Sequence, residues 1–138
     1  MSRVLLIASD KSLPLCSFCE VRTKTFVIEG EPHTISFPRG FQVSEHSYYR
    51  SCVDEFGYPI KPYSYELDFE AYETDLANLK AYLSEHLTFG DQIQLWSIWI
   101  GDLPERNPIR SSIPLEKLDC SVLEQLLQAD DLCITITI

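Results

Sequence analysis

The sequence predicts an α+β domain: a two-layer sandwich in which a mixed β-sheet of about five to six strands carries three helices mainly on one face. Three observations carry this expectation. Short apolar runs with strand character recur at Val4–Ala8, Gln92–Ile100 and Leu132–Ile138. Tyr72, Leu76, Leu79, Leu83 and Leu87 recur at steps of three and four, the spacing of one helix face. From residue 63 onward strand and helical patterns alternate, which predicts parallel neighbours joined by right-handed crossovers and helices laid on a sheet. At 138 residues, with 45% apolar and 23% charged side chains, the chain reads as a single domain over 1–138.

Val4–Ala8 reads as a buried strand, and residues 10–15, with Pro14, as a loop. Residues 18–28 are rich in Val, Thr and Phe and are broken by Glu29-Gly30-Glu31-Pro32 before a second β-type run at 33–37, so a hairpin is expected to supply an antiparallel part of the sheet. Ser44 is a candidate N-cap for a helix over 45–56, with Tyr48, Tyr49, Cys52, Val53 and Phe56 at helical spacing and Gly57 and Pro59 as the stop. The shared parity of Phe41, Val43, Tyr49 and Val53 offers a strand instead.

Tyr63, Tyr65, Leu67 and Phe69 alternate with Ser64, Glu66, Asp68 and Glu70, the pattern of a half-buried strand. A helix over 72–87 follows, closing at Gly90. Residues 92–100 are apolar on both faces and belong mid-sheet. Residues 101–114, with three Pro and one Gly, read as a loop. Ser121 and Glu124 fit a capping box opening a short helix to about Gln128, and Leu132, Ile134, Ile136 and Ile138 close the chain as a strand.

Charge narrows the function. Residues 1–62 hold 7 basic and 7 acidic side chains, whereas 63–138 hold 4 and 14, so the whole net charge of −10 arises in the second half. A field of that sign repels phosphate backbones and anionic lipid, which speaks against nucleic acid and membrane surfaces as partners. The cysteine count is five, an odd number set in apolar periodic segments, and the first residues are too short an apolar run for a secretory leader. A cytoplasmic location is expected, with no cofactor.

Candidate sites are few. Glu66, Asp68, Glu70, Glu73 and Asp75 place five carboxylates within ten residues, either a charge-protected edge or a docking surface for a basic protein. Tyr58, among the aromatics gathered between residues 48 and 72, is expected to be exposed beside that surface, together with Tyr48 or Tyr49. Trp96 and Trp99 should point to opposite faces of one strand, one beneath the helices and the other marking a pocket. Cys16 and Cys19 form a C-x-x-C pair that could hold half of a metal site or a redox dithiol. A second ligand pair at metal spacing is missing, and the strand-like residues after Cys19 provide no helix to lower a thiol pKa. His33, His46 and His86 fall in a turn, a first helical turn and a last helical turn. Phosphate-loop, nucleophile-elbow and dinucleotide motifs are absent from the sequence.

The leading expectation is a protein-binding module, in one version an immunity or inhibitor protein docking a basic enzyme through an acidic, Tyr-bearing surface. The alternatives are a small enzyme or ligand-binding protein with a pocket near Trp96 or Trp99, and a metal or redox module built on Cys16 and Cys19.

Overall fold

A computed structural model describes residues 2–17, 20–103 and 105–138. In chain order its elements are β1 (Ser2–Ser9), β2 (Cys16–Ser17), β3 (Glu20–Ile28), β4 (Glu31–Arg39), β5 (Gln42–Glu45), α1 (Arg50–Glu55) and β6 (Tyr63–Asp68). There follow α2 (Glu73–His86), β7 (Gln92–Ile100), β8 (Ile109–Pro114), a 3-10 turn (Leu115–Lys117), α3 (Cys120–Gln128) and β9 (Asp131–Thr137).

Seven strands form one mixed sheet in the order β2-β5-β6-β1-β7-β9-β8, while β3 and β4 form a separate two-stranded sheet. Every pairing in the large sheet is antiparallel except β8 with β9, which α3 connects as a crossover. The α+β class and the mixed sheet hold, but the sheet has seven strands rather than five or six. The extra ones are short or marginal: two residues in β2, four in β5, and an edge strand, β8.

Burial on both faces puts β1, β7 and β9 in the middle. On one face Ile7, Ile93, Leu95, Leu132, Ile134 and Ile136 meet Leu79 and Leu83 of α2 and Leu123 and Leu126 of α3. Each fully buried Leu there contributes about 2–3 kcal/mol. On the other face Val4, Leu6, Ala8, Trp96, Ile98 and Cys133 are covered by Val53 of α1 and by Tyr49, Phe56, Tyr58 and Ile60 around it. Two of the three helices therefore share a face, and the shortest covers the reverse.

Local chemistry explains where elements start and stop. Strand β7 and helix α2 fall where their periodicity places them. The segment read as a helix over 45–56 divides: Val43 pairs with Leu67 and Ser44 with Glu66, so 42–45 is strand and only 50–55 is helix. Ser44 is thus a ladder residue and caps nothing. Helix α3 begins one residue before the expected Ser121 cap. The Asp119 carboxylate accepts from the Val122 N–H at 3.1 Å, doing what the capping box was expected to do.

At the other end of α3 Arg3 reaches across from β1. Its guanidinium donates to the carbonyls of Leu127, Gln128 and Ala129, the last at 2.8 Å, and so satisfies the helix's orphan acceptors with a cation. Residues 109–114, expected to be loop, are an edge strand. Pro108 precedes it and Pro114 is its last residue, and an edge position tolerates both because one side of an edge strand makes no ladder. None of the described helices is long and apolar enough to cross a membrane.

Candidate functional site

The five carboxylates singled out in the sequence go to different places. Glu66 and Asp68 project from β6 towards the face that α1 covers. With Ser44, Tyr49 and Val4 they line a cleft of about 220 Å³. Partial burial, and then Asp68, hold the Glu66 carboxyl above its usual range. Asp75 is 2% exposed, and its carboxylate accepts from the Glu70 N–H at 2.6 Å, pinning the turn that enters α2. Glu70 follows the end of β6, and Glu73 opens α2 close to Cys120 on α3. A single acidic patch made of all five is not what the fold assembles.

Part of the remaining negative surplus is answered internally. Asp91 pairs with Lys11 at 2.6 Å, and Asp130 lies 3.8 Å from Arg3. Asp131, on the first residue of β9, is 8% exposed and takes three donors: the Trp99 N–H at 2.9 Å, an Arg106 guanidinium nitrogen at 3.2 Å and the Tyr58 hydroxyl. Arg106 also donates to the carbonyls of Trp99 and Gly101 and lies 3.6 Å from the Phe56 ring centroid. This network clasps the loop after β7 to the sheet. It also places Tyr58 against Trp96, ring over ring at 5.5 Å, so Tyr58 is half-buried structural packing rather than the exposed anchor expected of it. Tyr48 is the exposed one, at 81%.

The tryptophans do point to opposite faces. Trp96 is 1% exposed, but it lies on the α1 face and not beneath the two longer helices. Trp99 is half-exposed on the other face, 5.9 Å from the Arg3 guanidinium. Neither lines any of the clefts described here. A cleft of about 530 Å³ lies instead between α2 and the C-terminal ends of β8 and β9, lined by Lys80, Ser84, Phe89, Pro114, Leu115 and Ile138 among others. Its size and apolar walls suit a small apolar group.

Cys19 lies outside the described residues. Cys16 sits half-buried in β2, where burial pushes its thiol up, the wrong direction for a reactive thiolate. No group of three or more His, Cys, Asp or Glu side chains among the described residues is arranged to hold a metal ion.

Strands β3 and β4 were expected to extend the sheet; instead they leave it. Cys16 pairs with Val43 and Ser17 with Gln42 within the large sheet, while the two-stranded sheet runs from Glu20↔Arg39 to Ile28↔Glu31 at the tip. Strands β3 and β4, nine residues and about 30 Å long each, pair with one another in a sheet of their own rather than with the seven-stranded one. Glu29 (φ 53°) and Gly30 (φ 80°) make the tip, both left-handed, as the twist of a two-residue hairpin turn requires.

No residue from 25 to 35 belongs to either apolar core, and all but Phe26 are exposed. Val27 is 69% exposed, Ile28 51% and Ile35 49%, an unusual concentration of bare β-branched surface. Phe26 stacks on His33 across the ribbon, at 5.8 Å. Detachment of this arm has no signature in the sequence, because alternation within a strand says nothing about which sheet the strand joins.

No protein-family model matches this chain, and neither a curated protein nor a solved structure matches it.

Proposed function

We propose that the chain is a protein-binding module that grips its partner with the β3–β4 arm, and that the contacting surface of the partner is basic. The arm carries this reading. A two-stranded ribbon is marginal in water on its own, and ordering each residue costs about 1–2 kcal/mol. Eleven residues at the tip contribute nothing to either core, so the contacts that justify them lie outside the domain. The tip joins Val27 and Ile28 to Glu29 and Glu31, an apolar wedge with two carboxylates, which suits an apolar groove rimmed by Lys or Arg. The negative second half of the chain favours the same class of partner, as does the cleft where Glu66 and Asp68 adjoin Tyr49. An inhibitor or immunity protein that covers a basic enzyme fits these features.

The test replaces residues 20–39 with an Asn-Gly turn, leaving the core residue Phe41 in place. The shortened chain is expected to unfold within about 1 kcal/mol of the intact one, since surface changes remote from the core cost little. It should also lose the proteins that the intact chain captures from native lysate, and Glu29→Lys with Glu31→Lys should lose those whose capture weakens with salt. Equal capture by the shortened chain overturns the proposal. So does its unfolding, which would make the arm part of the fold.

A further inference from the structure

We infer that two copies of this chain associate through β8, edge to edge about a two-fold axis, and join their sheets. The two edges of the seven-stranded sheet are unlike. At one end β2 contributes two residues and continues into the arm; at the other β8 presents six residues paired on one side only, to β9. Ile109 is 68% exposed, and residues 109 to 112 all face solvent. A strand of that length is a template for another chain unless something blocks it.

The local sequence selects the partner. Pro108-Ile109-Arg110-Ser111-Ser112-Ile113-Pro114 is close to a palindrome about Ser111. A two-fold axis normal to the sheet keeps side chains on their own face, so residues can pair only with residues of like parity. Centred on Ser111, such an antiparallel pairing puts Ile109 opposite Ile113 twice, Arg110 opposite Ser112 twice and Ser111 opposite itself. Pro108 meets Pro114 at each end and stops the ladder. The five positions between contain no proline, so whichever alternate set of backbone groups points outward can form the bonds. Like charges do not fall opposite one another, and the Arg110 guanidinium lies 5.9 Å from its own Trp96 ring. One face then gains two aliphatic cross-strand pairs where Ile109 is now bare.

Each copy carries −10, so association of two copies strengthens as salt rises, whereas a complex with a basic partner weakens. The two readings are therefore separable. Sedimentation of the full chain at micromolar concentrations is expected to show a dimer that is favoured at higher ionic strength. Ile109→Lys, at an exposed position, should raise the dimer dissociation constant roughly tenfold or more, because symmetry removes both aliphatic pairs at once.

Ser111→Lys and Ser111→Glu, each alone, should weaken the dimer by opposing like charges at the axis, and an equal mixture of the two should restore it as a heterodimer. A chain that stays monomeric throughout the range overturns the inference. So does a dimer indifferent to the substitutions at 109 and 111, a mixture that does not recover, or a dimer that disappears only when the arm is removed.

Discussion

Replacement of Asp131 by Ala tests the clasp between β9, β7 and the loop that leads to β8. The Asp131 side chain is 5% exposed and that of Arg106 19%. The substitution strands three donors at once: the Arg106 guanidinium, the Tyr58 hydroxyl and the Trp99 N–H. Removing one partner of a buried ion pair costs about 3–5 kcal/mol because the other charge remains without compensation. Arg106 keeps the carbonyls of Trp99 and Gly101, which moves the expectation towards the lower end, about 3 kcal/mol. Against a total stability of about 5–15 kcal/mol, that corresponds to a melting temperature lower by about 10 °C.

Urea unfolding followed by tryptophan fluorescence and by far-ultraviolet circular dichroism measures the loss, and Trp96, stacked on Tyr58, reports on the clasp itself. The double variant Asp131→Ala with Arg106→Met should lose less than the sum of the two single changes, since no isolated charge is then left. A loss below about 1 kcal/mol for Asp131→Ala, or strict additivity in the double variant, refutes the reasoning.

Two further outcomes follow from the same geometry. Arg3→Met should cost about 1–2 kcal/mol and speed amide exchange in the last turn of α3, because the helix carbonyls lose a cationic donor; exchange confined to its present rate counts against the cap. His46 is 5% exposed, its Nε2 has no hydrogen-bond partner among the described residues, and burial, then Arg50, lower its pKa below the usual 6.5, with Asp54 opposing. The unfolded chain therefore takes up the proton first, and stability should fall as pH drops through about 6.5; thermal melts across that range should slope less in His46→Gln, and identical slopes refute it.

Where burial imposes a period, the sequence was readable. Strand β7, apolar on both faces, lies mid-sheet, and the steps of three and four from Tyr72 to Leu87 became a helix whose Leu79 and Leu83 are fully enclosed. Strand β8 leaves neither alternation nor exclusion of turn residues in the sequence, because an edge strand buries little and tolerates a proline beside it and at its end. Residues 41–56 carry both patterns because a strand, 42–45, is followed there by a short helix, 50–55. Among the site residues, the exposure of Tyr58 was misjudged since its stacking partner and its acceptor lie far along the chain: Asp131 is 73 residues away.

The amino-acid order alone determined the α+β class, the uneven charge and the main buried segments, because each is recorded in the period or composition of a few neighbouring residues. Only the tertiary structure decided that the hairpin leaves the sheet as an arm, that five nearby carboxylates part company, and that β8 stands at an open edge. Those outcomes depend on which distant strands exchange hydrogen bonds and on which side of a sheet a side chain emerges, and a backbone amide looks the same in sequence whichever partner it takes.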